Sequence, residues 1–261
     1  MSLSSSLLEQ LSELRLPGMR DALAQQEAQS TLYQDMPFAD RLQLLLEAEQ
    51  QRRHHVKIST RLRHARLHEC VAMASLDFSA ARGLSKTLCV ELAKAAWVKA
   101  PQNILMVGAT GTGKTYLACA LAHQACAHNY STRYYRLPRL LHEVELAEHN
   151  GGLPKLLQHL SKQDVLILDD WGLTPLTDKQ RRHFLEILDD RYHHRATIVT
   201  SQLPVKHWHE YINEPTLADA ILDRLVHGAQ QIVLKGESLR KNKKNGEQAT
   251  SYNVENLTEG A

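Results

Sequence analysis

The sequence predicts an α/β fold: a five-stranded parallel sheet flanked by helices, preceded by a small all-helical domain. Three observations predict it. Between residues 103 and 234, short apolar runs alternate with helical stretches, the pattern of parallel β–α units. One run, Val165-Leu166-Ile167-Leu168, has no polar alternation, which suits a central strand covered on both faces. Composition favours helix over sandwich or barrel, with 42 leucines, 12 glycines, 8 prolines and only 5% aromatic residues in 261. Hydrophobic residues at 43% and charged residues at 23% exclude wholesale disorder.

Residues 1–75 read as helical. Leu7, Leu11 and Leu14 fall at helical spacing until Pro17-Gly18 breaks the run, and Met19 and Leu23 begin a second short helix. Pro37 stands where an N1 proline belongs, before a stripe of Phe38, Leu42, Leu45 and Leu46. That helix is expected to reach about Leu67, and the β-branched cluster Val56, Ile58, Thr60 is the point at which it can break. A connector spans 76–85 and the α/β domain 86–240. Its expected strands are Asn103–Val107, Thr132–Arg136, Val165–Leu168, Thr197–Thr200 and Gln231–Leu234. The expected helices are Lys114–His128, Pro138–Glu148, Pro154–Lys162, Asp178–His193 and Leu217–Val226. Residues 241–261 are polar and are expected to form a flexible tail.

With 31 Lys+Arg against 29 Asp+Glu the net charge is +2, so any nucleic-acid affinity must come from local patches. Cys70, Cys89, Cys119 and Cys126 have neither paired nor metal-type spacing, which suits a reducing compartment. The opening residues lack the features of a signal peptide, and no apolar run approaches the ~18 residues of a membrane helix. A cytoplasmic location is expected. The fifteen histidines show no zinc-site spacing, and a structural metal is not expected.

Chemistry concentrates at Gly108-Ala109-Thr110-Gly111-Thr112-Gly113-Lys114-Thr115, which fits G-x-x-x-x-G-K-[ST] at every fixed position. Glycines let successive N–H groups face inward as an anion nest, and the following helix offers its positive N-terminal end to phosphate. Lys114 is placed to reach the β- and γ-phosphates of ATP, and Thr115 to hold Mg²⁺. The apolar strand Val165–Leu168 ends in Asp169-Asp170, where α/β sheets place ligands. Asp169 is read as the second Mg²⁺ residue and Asp170 as the acid that orients and deprotonates the attacking water, the plainer alternative being that Asp170 caps a turn. Trp97 is read as core, with adenine stacking the alternative.

One expected strand separates the phosphate loop from the acidic strand, and another follows, ending Thr200-Ser201-Gln202. A strand between the two motifs plus a second acid resembles the AAA+ class of P-loop ATPases. That resemblance implies a sensor role for Gln202 (Ser201 less so) and an arginine finger, acting on the neighbouring subunit, for Arg224 in Leu222-Asp223-Arg224-Leu225. The ordered set of a Leu-rich segment closing on Leu-Pro-Gly-Met, GATGTGKT, LILDDWG, TSQLP, LDRL and LKGESLR resembles the IstB family from about Leu7 to Arg240. IstB proteins are ATP-dependent helpers of transposition from two-gene bacterial insertion sequences. The likeness implies double-stranded DNA, a cognate transposase and further copies of the chain as partners. Two departures stand out: AAA+ enzymes usually carry Glu where this chain has Asp170, and the 37 residues after Arg224 are too few for a helical lid. Arg240 is the one candidate for a sensor-2 role.

Between Arg52 and His68 lie Arg52, Arg53, Lys57, Arg61, Arg63 and Arg66 with four histidines and no acid. Arg53, Lys57, Arg61, His64 and His68 fall at three- and four-residue steps, so one helical face is expected. Like charges on one face cost stability, and the inference is a polyanion partner, here the DNA backbone; a solvated face is the bland alternative. Arg133, Arg136, Arg139 and Lys155 form a second basic set, and Lys241, Lys243 and Lys244 extend the tail. Two rivals remain. A DnaC-type helicase loader would prefer single-stranded DNA, and a small-molecule kinase would need an acceptor and gain nothing from Arg224.

Overall fold

The computed structural model describes residues 3–69, 71–73 and 83–236. The chain divides into two compact units, Met1–His64 and Ala65–Ala261. Arg240, Lys241, Lys243, Lys244, Cys70 and most of the expected connector lie outside the described residues.

The first unit is helical throughout: α1 (Leu3–Glu13), α2 (Pro17–Ala28), α3 (Ser30–Tyr33) and α4, whose span is Phe38–Ala65. The β-branched cluster does not break α4, which runs unbroken for 28 residues, about 42 Å. Each β-branched residue costs only tenths of a kcal/mol in a helix, too little to open a run this long. Helix α4 stops before His68, and Arg66 takes a left-handed φ of 50° just beyond it, so the expected basic face ends at His64.

Leu-Pro-Gly-Met is explained by a buried acid. Glu49 of α4 accepts from the amides of Gly18 (2.7 Å) and Met19 (3.3 Å), the unpaired donors of the first turn of α2, and from Arg53 Nε (2.7 Å). Burial pushes the Glu49 carboxyl upward, but these donors outweigh it and hold it below the usual 4.5. A Cβ on Gly18 would lie 2.7 Å from Glu49 Cα and 2.8 Å from Ala48 O, both backbone atoms that cannot yield cheaply. Gly18→Ala is therefore expected to destabilise this unit by about 1–3 kcal/mol, read as a lower midpoint in urea with unchanged slope.

The second unit opens with α5 (Lys86–Ala93) and α6 (Ala96–Lys99) and continues as β1 (Ile104–Gly108), α7 (Lys114–Ala127), β2 (Thr132–Arg136) and α8 (Leu137–His149). Next come α9 (Leu153–Ser161), β3 (Val165–Trp171), α10 (Asp178–Asp189) and β4 (Ala196–Ser201). It closes with α11 (Trp208–Ile212), α12 (Pro215–Val226) and β5 (Gln230–Leu234). The five strands form one sheet, ordered β2-β3-β4-β1-β5, with every pair parallel. Strand β4 thus inserts between the strand of the phosphate loop and the acidic strand.

Alternate residues of the strands feed two cores. Leu105, Val107, Leu166, Leu168 and Val199 pack with side chains of α8 to α12, while Ile104, Met106, Val165, Ile167 and Ile198 pack with α5, α6 and α7. Burial of β3 on both faces is what its unalternating apolar run foretold. Trp97 belongs to the second core, and its indole N–H donates to Leu92 O at 3.0 Å. Among the described residues, no helix is long and apolar enough to cross a membrane.

Candidate functional site

The loop Gly108–Thr115 joins β1 to α7 at the carboxyl end of the sheet, next to the point where strand order reverses. Gly111 (φ 83°) and Gly113 (φ 92°) turn it through left-handed backbone that a side chain would strain. Gly108 is needed for a different reason: a Cβ there would sit 2.4 Å from Leu234 O of β5. Thr112 Oγ1 donates back to Ala109 O (2.9 Å), and Lys114 Nζ donates to Gly108 O (2.8 Å) and Ala109 O (2.9 Å). Burial pushes the Lys114 ammonium below its ordinary value, against the pull of Asp169 and Asp170.

The two acids leave the sheet through a bulge. Leu168 pairs with Val199 and Trp171 with Ser201, so Asp169 and Asp170 together oppose Thr200 alone. Asp170 adopts φ 65°, unusual for a residue with a Cβ, and strain of this kind gathers at functional sites. The bulge sends the two carboxylates to different partners. Asp169, 4% exposed, accepts from Thr115 Oγ1 at 3.0 Å, from Tyr134 Oη at 2.6 Å and from Thr200 Oγ1. Asp170 Oδ2 accepts from Arg136 Nε at 2.8 Å. Burial, and then the Asp169 hydrogen bond, raises the Tyr134 phenol well above its usual range, keeping it a donor.

Thr115 and Asp169 offer hard oxygen donors side by side, a set that suits Mg²⁺ shared with phosphates. Gln202, just past β4, reaches the phosphate loop, and its Oε1 accepts from Thr110 Oγ1 at 2.7 Å. Ser201 turns away, buried, to donate to Trp171 O at 2.8 Å. The structure therefore brings together Gly108, Ala109, Thr110, Gly111, Thr112, Gly113, Lys114, Thr115, Asp169, Asp170 and Gln202.

Arg224 is elsewhere. Its carbonyl accepts from Asn103 Nδ2 (2.8 Å) at the start of β1, whereas the phosphate loop begins at that strand's other end, about 16 Å away at ~3.3 Å per residue. Its guanidinium pairs with Asp189 and lies 5.7 Å from the Tyr192 ring centroid.

The basic residues divide. Arg52, Arg53, Lys57 and Arg63 of α4 are exposed, but Arg53 is held by Glu49, an acid one turn outside the sequence window. Arg139 pairs with Glu143 at 3.7 Å, and Lys155 is exposed on α9. Arg136, grouped by sequence with this second basic set, is brought instead to the candidate catalytic acid. Sequence reasoning missed Tyr134, Thr200 and the Arg136–Asp170 pair. The available signal was positional: polar residues ending β2 and β4, the two neighbours of the acidic strand.

A β2-β3-β4-β1-β5 sheet with this loop and these acids defines a P-loop nucleotide-binding protein of the AAA+ class. Solved structures agree on the fold. DnaI matches with a TM-score of 0.54 over 69% of this chain and 92% of its own, at 22% identity. AMPPCP-bound DnaA from Aquifex aeolicus matches with 0.55 over 70% and 58%, at 18% identity. The chain belongs to the IstB-like ATP-binding protein family, whose model matches residues 9–247. An insertion sequence ATP-binding protein of Sinorhizobium fredii, y4pL, is 44% identical over 242 residues, 93% of this chain and 98% of its own length. The insertion sequence IS21 ATP-binding protein of Pseudomonas aeruginosa is 33% identical over 80% of this chain and 79% of its own. ATP is the nucleotide that this family binds.

Proposed function

We propose that the chain is a DNA-binding ATPase that assembles with further copies of itself on duplex DNA and stimulates a cognate transposase. The observation that carries this reading is the placing of Arg224 at the opposite end of the sheet from its own phosphate loop. An arginine there cannot serve its own nucleotide but can serve a neighbour's, so ATP would join protomers. The insertion-sequence relatives support the transposase as partner.

In this reading the loop amides and Lys114 bind the triphosphate, and Thr110 and Gln202 hold the γ-phosphate end in register. Thr115 and Asp169 would hold Mg²⁺, which would supply charge neutralisation at the phosphates. Asp170 orients the attacking water and accepts its proton. Because Arg136 occupies one carboxylate oxygen of Asp170, DNA phosphates that draw Arg136 away would free the acid, linking DNA contact to hydrolysis. Asp170→Asn is expected to keep ATP binding and assembly while slowing phosphate release about 10²–10⁴-fold.

The DNA contacts proposed are Arg52, Arg53, Lys57, Arg61, Arg63 and Arg66, with Arg136, Arg139 and Lys155 as a second set; Arg53, Arg136 and Arg139 would exchange their pairing with Glu49, Asp170 and Glu143 for phosphate. The six phosphate contacts of the first set alone give a log–log salt slope of about −5 per protomer. The test is a salt titration of duplex and single-stranded DNA of equal length with a non-hydrolysable ATP analogue. Tighter duplex binding with that slope is expected. A flat titration contradicts the assigned contacts, and preference for the single strand favours the helicase-loader reading.

A further inference from the structure

We propose that Asp189 is a positioning residue for Arg224: it aims the guanidinium at the triphosphate of a second copy of this chain. The inference rests on the trans role of Arg224 and adds a residue that no sequence motif marks.

Three constraints converge on a side chain that is otherwise flexible. Arg224 Nε donates to Asp189 Oδ1, Nη1 donates to Ala220 O at 2.8 Å one turn back in α12, and the guanidinium lies 5.7 Å from the Tyr192 ring centroid. Of an arginine's five N–H donors, these hydrogen bonds use one on Nε and one on Nη1. One N–H on Nη1 and both on Nη2 take no part in these two bonds, enough to fork onto two phosphate oxygens. Asp189 and Ala220 thus hold two of the five donors, and three are left for an anion.

Asp189 makes poor sense as a purely structural residue. It is the last residue of α10 and is followed by Asp190, so two acids crowd the negative end of a helix dipole. The Asp189 side chain is 47% exposed and fills no core. Yet the segment carrying it is fixed. Arg191, 1% exposed, donates to Leu160 O (2.7 Å), Gln163 O (2.8 Å), Ala196 O (2.6 Å) and Thr197 Oγ1 (3.2 Å). This buried clamp ties the end of α10 to α9 and β4, so Asp189 and Tyr192 flank Arg224 from an anchored turn. Arg224, Tyr192 and Arg191 line one cavity of about 340 Å³, with His193, Arg195 and His227. That cavity, at the sheet end opposite the phosphate loop, is where another copy's triphosphate would approach.

The test uses the full chain with ATP, Mg²⁺ and duplex DNA, reading phosphate release as protein concentration rises. A fluorescent ATP analogue, at protein concentrations below assembly, reads binding by single protomers. Asp189→Ala is expected to lower assembly-dependent hydrolysis about 10–100-fold, with analogue binding and thermal midpoint as in wild type. Asp189→Asn, which keeps the acceptor oxygen, restores most of the rate. The double variant Asp189→Ala/Arg224→Ala is no slower than Arg224→Ala alone, because the two act as one unit. Wild-type hydrolysis by Asp189→Ala beside an inactive Arg224→Ala overturns the inference, as does an Asp189→Asn as slow as Asp189→Ala. Faster assembly by Asp189→Ala overturns it too, since Asp189 would then restrain Arg224. Failure of the underlying trans reading looks different: Arg224→Ala itself would hydrolyse and assemble as wild type.

Discussion

Lys114→Ala is expected to cost about 10²–10³-fold or more in ATP turnover and to remove nucleotide-dependent assembly altogether. The ammonium is the one side-chain cation inside the loop, 9% exposed and bound to the carbonyls of Gly108 and Ala109. Those contacts place a point charge where the β- and γ-phosphates lie in a P-loop, a place no neighbouring side chain can fill. The fold should not suffer. Burial already disfavours this ammonium, so its removal relieves a desolvation cost, and the thermal midpoint is expected to stay level or rise. Calorimetric titration with ATP beside a thermal melt checks both halves.

Arg224→Ala is expected to give a complementary phenotype: ATP binding by isolated protomers intact, and hydrolysis in the assembly down by about 10³–10⁵-fold. The separation of phenotypes follows from geometry, since the two residues stand at opposite ends of β1. Mixing supplies the sharper measurement. Lys114→Ala carries a sound arginine and Arg224→Ala a sound phosphate loop, so some joints in a mixture regain both. Equimolar mixing is therefore expected to recover turnover that neither variant has alone. If mixing recovers nothing, Arg224 does not act across the joint.

How much was legible beforehand depended on whether the signal was local. The phosphate loop is contiguous, so its spacing alone specified a tight glycine turn and Lys114 at a helix start, and the structure puts Gly111 and Gly113 at left-handed backbone. The acidic strand was legible because burial on both faces removes polar alternation, and Gln202 only through the resemblance to AAA+ proteins, since Thr200 and Ser201 beside it are polar too. What stayed hidden depended on register between strands. Nothing in the linear sequence says that Arg136 stands opposite Asp169, or that Tyr134 and Thr200 close on the same carboxylate.

The basic stretch differs from the sequence expectation at its far end and gains a partner at its near end. Periodicity does not know that Arg66 turns left-handed after α4, nor that Glu49, one turn before the window, already holds Arg53. The short helices α5, α6 and α11 were overlooked because four to eight residues carry too little period to separate from loop.

Nucleotide joining protomers through Arg224 is the central proposal, and particle mass is its sharpest test. Light scattering of the purified chain with ATP, Mg²⁺ and duplex DNA is expected to show an assembly of several protomers, absent without nucleotide and absent for Lys114→Ala. A particle that stays a single protomer with all three supplied, or one that assembles equally without nucleotide, would contradict it.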